Sequence, residues 1–136
     1  MRQCVEHIAV TEMGVLQRIR GSLSQPAPAG LSVKRDSMIL QVMPDRSRKA
    51  SAPAEVAPAG RPEFEKPSQA LAAFERTRRT TQEFISSTDA DLRAHGVNHF
   101  ALGDLDAYQW VLFLAGHCER HTKQLEEVIA DPNFPK

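Results

Sequence analysis

Residues 104–130 read DLDAYQWVLFLAGHCERHTKQLEEVIA, and their reading decides the fold. Asp104 has the side chain of a helix N-cap, and from Leu105 to Ala130 no proline intervenes until Pro132 closes the run. The chain holds six Phe, one Trp and one Tyr, and Phe100, Tyr108, Trp110 and Phe113 lie in or just before this segment, so it should anchor the core. At about 100° per residue, Trp110, Leu114, Gln124 and Val128 share one face with His117 and His121. The two histidines therefore look toward a packed, partly apolar environment.

Upstream, the spacing of Val5, Ile8, Leu16, Ile19 and Leu23 predicts a helix over about 2–24. Residues 25–67 change character: Pro26, Pro28, Pro44, Pro53, Pro58, Pro62 and Pro67 forbid a long helix, leaving a weakly helical apolar cluster over 33–42. So long a connection points to a crossover between elements that run the same way. Ser68 then reads as an N-cap, and Leu71, Phe74, Thr81, Phe84 and Ile85 mark one face of a helix over about 68–94, with Glu75, Arg76, Arg79 and Glu83 solvated. Gly96 ends it, and 97–103 reads as a loop. The expectation is an all-α single domain over 1–136 with three main helices.

The bulk numbers remove several classes of function. A chain of 136 residues suits one domain. Seventeen basic and seventeen acidic side chains cancel to zero net charge, so no field draws in nucleic acid or an anionic membrane. No apolar run reaches membrane-spanning length, and neither a signal peptide nor a disulfide-type spacing of Cys4 and Cys118 is visible, which suits a cytoplasmic protein.

Five histidines carry the chemical interest: His7, His95, His99, His117 and His121. Only His117 and His121 stand four apart in one helix, about 40° apart on the wheel, where two imidazoles can chelate one ion. Such a pair is also a common coincidence, and a zinc-type site needs a third protein ligand. His7 is the candidate, although it lies opposite the Val5, Leu16 and Ile19 stripe, beside Cys4, Thr11 and Gly14, where amphipathicity alone calls it exposed. Cys4, one turn earlier, could reach the same place. Cys118 points about 100° away from His117 and reads as a core thiol. His95 and His99 read as solvated or helix-end residues. Neither His-Glu-x-x-His nor Glu-x-x-His occurs, which excludes the metalloprotease and ferritin-like di-iron arrangements, and no phosphate-cradling glycine loop or Cys-x-x-Cys appears.

Glu6-His7-Ile8-Ala9-Val10-Thr11-Glu12 and Gly116-His117-Cys118-Glu119-Arg120-His121-Thr122-Lys123-Gln124-Leu125 together resemble the DinB/YfiT-like superfamily of metal-dependent four-helix-bundle proteins. Asp45-Arg46-Ser47, Ala52-Pro53-Ala54-Glu55, Arg61-Pro62, Asp91-Leu92-Arg93 and His99-Phe100-Ala101-Leu102-Gly103 extend the likeness over nearly the whole chain. The resemblance implies a divalent ion, zinc or nickel, on His7, His117 and His121. It also implies a small-thiol S-transferase or a hydrolase, with a low-molecular-weight thiol as partner. The rival readings are a non-catalytic metal-binding protein and a structural helical dimer. Arg120 could steady a substrate carboxylate or sit exposed. Family members usually carry a further helix ahead of the first histidine, whereas His7 here is six residues from Met1, so the expectation is a bundle lacking that helix and covering its apolar face by homodimerisation.

Overall fold

A proline-free start forms α1 (Arg2–Leu23), and the prolines that follow end it. The computed structural model describes residues 2–47, 49 and 64–134; the expectations for Pro53, Pro58, Pro62 and their neighbours lie outside the described residues. After α1 come a short α2 (Asp36–Val42), α3 (Pro67–Ser87), the strands β1 (Gly96–His99) and β2 (Gly103–Asp106), and α4 (Ala107–Ile129). Four helices, not three, are thus present among the described residues, the extra one being a trimmed version of the weakly helical cluster.

Seven residues are too few for a helix that stands alone. Tertiary contacts hold α2. Ile39 is fully buried in the core, and Gln109 of α4 donates from Nε2 to Lys34 O (2.5 Å) and Asp36 Oδ1 (3.0 Å). Arg93 pairs with Asp36 (2.7 Å) and with Asp106 (3.1 Å). The Asp36 carboxyl is held down to about 2, first by its bond from Arg93 and then by that from Gln109. Gly116 lets α4 come close, since a Cβ there would lie 2.7 Å from Met43 Cβ.

The third helix starts one residue earlier than expected and ends seven sooner. Pro67 sits in the first turn, where its missing N–H costs nothing, and Lys66 is the N-cap in place of Ser68. At the far end the Ser86 and Ser87 hydroxyls bond back to the carbonyls of Gln82 and Glu83 (both 2.8 Å), and Thr88 turns extended. Asp91 Oδ1 then accepts from Arg93 N (2.9 Å), a local turn that competes with further helix.

The expected loop 97–103 is mostly an antiparallel hairpin, with Val97 opposite Leu105 and His99 opposite Gly103. Gly96 allows the close pairing, because a Cβ there would fall 2.3 Å from Leu105 O, and Gly103 takes φ +77° at the turn. Asp104 therefore belongs to β2. Asp106 caps α4 instead, accepting from Gln109 N (2.6 Å) while Gln109 Oε1 accepts from Asp106 N (3.3 Å).

The directions of the helices follow from their contacts. Glu12 pairs with Arg78 and Arg20 lies over the Phe84 ring, so α1 and α3 run parallel, as a crossover requires. His7 meets His117 and Arg18 lies over Trp110, so α1 and α4 run antiparallel. Between them Val15, Ile19, Ile39, Leu105, Ala107, Trp110, Phe113 and Leu114 form the core, each large apolar side chain contributing about 1.5–3 kcal/mol on burial. Among the described residues no helix is long and apolar enough to cross a membrane.

Candidate metal centre

His117 and His121 stand one turn apart on the inward face of α4 because Trp110, Phe113 and Leu114 bury that face. Antiparallel packing brings the first two turns of α1 against them. His7 is 8% exposed, which corrects the exposure that amphipathicity implies. The reason is that α1 is covered on two sides, by α3 around Glu12 and by α4 around His7, so its buried arc is wider than one apolar stripe.

The three imidazoles form one cluster. His7 Nε2 lies 3.0 Å from His117 Nε2. Ring centroids are 4.9 Å apart for His7 and His117, 4.7 Å for His7 and His121, and 4.5 Å for His117 and His121. One nitrogen from each ring lies within 4.8 Å of the other two. Three histidines so grouped could hold a metal ion.

The donor set can be tested against such an ion. Tetrahedral Zn–N bonds of about 2.0–2.1 Å put two donors about 3.3 Å apart. The observed span, from 3.0 Å upward within 4.8 Å, brackets that value. Protonation states agree. Burial, followed by the charges of the neighbouring histidines, holds His117 down to about 3. Burial also holds His121 down to about 4, against the opposing bond to Gln124. Both rings are neutral near pH 7, with lone pairs available to a cation. His121 Nδ1 lies 2.8 Å from Gln124 Oε1; an N–H donated there leaves Nε2 unprotonated for the cluster. The residues fit a divalent ion of intermediate softness.

The surroundings are dry on one side. Phe113 stacks on His117 at 5.3 Å and 22°, and Trp110 meets Phe113 edge-on at 5.3 Å. Trp110 and Phe113 are core residues, as expected, although Phe113 also walls the cluster. Cys4 is not part of the three-residue group. Cys118 is half-buried beside the Arg78 guanidinium, less enclosed than a core thiol. Arg120 is half-buried and donates to Asp45 O, tying α4 to the segment after α2, while its charge also bears on His117 and His121.

His95 and His99 depart from their expected solvation. His95 is partly buried, with Nδ1 3.1 Å from Ser22 O. His99 is 7% exposed, packs on Trp110 and Phe113, and accepts at Nδ1 from Ala101 N (3.1 Å) and Leu102 N (3.2 Å). A four-residue strand is too short for its period-two pattern to declare itself, so the burial of His99 had no local signal. The ion pair between Glu12, 1% exposed, and Arg78 likewise depends on two helices 66 residues apart in sequence.

The family model of the DinB superfamily matches residues 1–125. No curated protein and no solved structure matches the chain.

Proposed function

The chain belongs to the DinB superfamily, and on that basis we propose that it binds one divalent metal ion, zinc or nickel, through His7, His117 and His121 and uses it in small-thiol transfer or hydrolysis. The observation that carries the reading is the three-imidazole cluster, with His7 and His117 buried and His121 half-buried, whose α4 members are kept neutral by burial. Three protein donors would leave an open coordination position, the arrangement of catalytic rather than structural zinc sites. A bound ion supplies Lewis acidity, lowering the pKa of a coordinating thiol or water.

The protein's own side chains do the rest. His7 joins two helices at the site, and His117 and His121 offer their lone pairs from one face of α4. Gln124 fixes the ring orientation and tautomer of His121. Phe113 and Trp110 keep water from one side, and burial keeps His117 and His121 unprotonated and ready as ligands rather than acting as bases.

Metal analysis of the purified protein and of His7→Ala, His117→Ala and His121→Ala tests the reading. Near one equivalent of metal in the parent and its loss in each variant is the expected result; no stoichiometric metal, or full retention in all three, overturns it. Assays with small thiols and electrophiles then separate transferase from metal-binding protein, since inactivity with metal bound favours the non-catalytic alternative. A homodimer belongs to the same proposal. Val33, Leu40 and Val42 place exposed apolar surface on and before α2, and pairing would cover it. Sedimentation at micromolar concentration reads the oligomeric state, and a monomer there removes the dimer.

A further inference from the structure

Among the described residues, Thr11 Oγ1 is the single buried side-chain nitrogen or oxygen without a hydrogen-bond partner. Thr11 is 8% exposed. A helical threonine ordinarily bonds back to the carbonyl one turn earlier, as Thr81 does to Thr77 O at 3.0 Å. Thr11 does not. A buried hydroxyl left unpaired is costly, and valine would fill the same volume without that cost. The hydroxyl thus points to a partner that the chain itself does not supply.

Its position says what kind of partner. Thr11 follows His7 by four residues, so the two share a face of α1 with Cβ atoms about 5–6 Å apart, and helical side chains lean toward the N-terminus, here toward His7. Because α1 and α4 are antiparallel, the turn of α1 after His7 meets the turn of α4 before His117, that of Phe113. One turn further on, a Cβ added to Gly14 would meet nothing within 4 Å. The unpaired hydroxyl is therefore enclosed on the His7 side of α1, and the face opens only a turn further on, at Gly14.

We infer that Thr11 Oγ1 donates a hydrogen bond to the small anionic ligand atom, a thiolate sulfur or hydroxide oxygen, that completes the three-histidine site. The inference rests on the metal reading above and adds a ligand-binding residue to it. A hydroxyl donor at this place favours a compact acceptor atom and orients it between α1 and α4.

The test uses the full chain loaded with Co2+ and titrated with 2-mercaptoethanol, read by the sulfur-to-cobalt charge-transfer absorption. Thr11→Val is expected to bind Co2+ like the parent and to bind the thiol about three- to tenfold more weakly, the loss of one hydrogen bond. Thr11→Ser is expected to restore the parent affinity. Metal-free Thr11→Val should melt no lower than the parent, because it removes an unpaired polar atom. Thiol affinity in Thr11→Val within twofold of the parent overturns the inference, as does a parent protein that takes up Co2+ but shows no thiol band. A parent that takes up no Co2+ overturns the metal reading and the inference together, so the two failures are distinguishable.

Discussion

His99 makes the stability of this protein depend on pH in a way that can be calculated and isolated. Its ring is buried against Trp110 and Phe113, and Nδ1 accepts from two backbone amides, so protonation there would set an N–H against two others. Burial, and then the charge of Arg18, depress it from 6.5 to about 4. The unfolded chain therefore binds more protons than the folded one between those values. The contribution is fully present above pH 6.5 and is lost as the pH falls toward 4. Between pH 7 and pH 5 the loss is about 2 kcal/mol from this residue alone, and it approaches about 3 kcal/mol below pH 4. His99→Asn keeps an acceptor near Nδ1 and removes the titration, at some cost in ring packing at every pH. Urea unfolding of chelator-treated parent and variant at pH 7, 6 and 5 leaves the other histidines common to both chains. The expected result is a smaller fall in unfolding free energy in the variant, by about 2 kcal/mol over that range. Equal falls in the two proteins would refute the assignment of a neutral, amide-bound His99.

Three further outcomes follow from contacts already described. Arg78→Met removes two 2.8 Å bonds from a carboxylate that is almost wholly buried, and should cost about 3–5 kcal/mol by urea unfolding; adding Glu12→Gln should recover much of it. Gly116→Ala forces a Cβ to 2.7 Å from Met43 Cβ, so it should cost about 1–3 kcal/mol and lower hydrogen-exchange protection in α2, an effect absent if α2 can shift freely. Gln124→Leu leaves all three imidazoles but removes the partner of His121 Nδ1, and should weaken metal affinity about tenfold or more in a competitive chelator titration, with unchanged affinity arguing against an orienting role.

Most of the helical frame was legible because its determinants are local. Proline spacing and apolar periodicity placed α1 to within one residue of each end, and α4 with a start two residues too early and an end one residue too late. The end of α3 was not legible, because it is set by Thr88 turning extended and by the Asp91 turn that follows, with no proline or glycine at the stop. Nor was the hairpin, whose strands of four residues are held by pairing with each other and by Trp110 Nε1 donating to Val97 O at 3.1 Å.

The candidate site divides along the same line. His117 and His121 are neighbours by helix geometry, so four-residue spacing and the face shared with Trp110 and Leu114 brought them together in sequence alone. His7 is 110 residues away from His117, and resemblance suggested it while amphipathicity argued against it. Only the packing of α1 between α3 and α4 decided that it is buried with them. The same packing leaves Thr11 without a partner and makes Glu12 depend on Arg78. Local periodicity records one buried face per helix; burial on a second side comes from which helices surround it, and that is a property of the assembled fold.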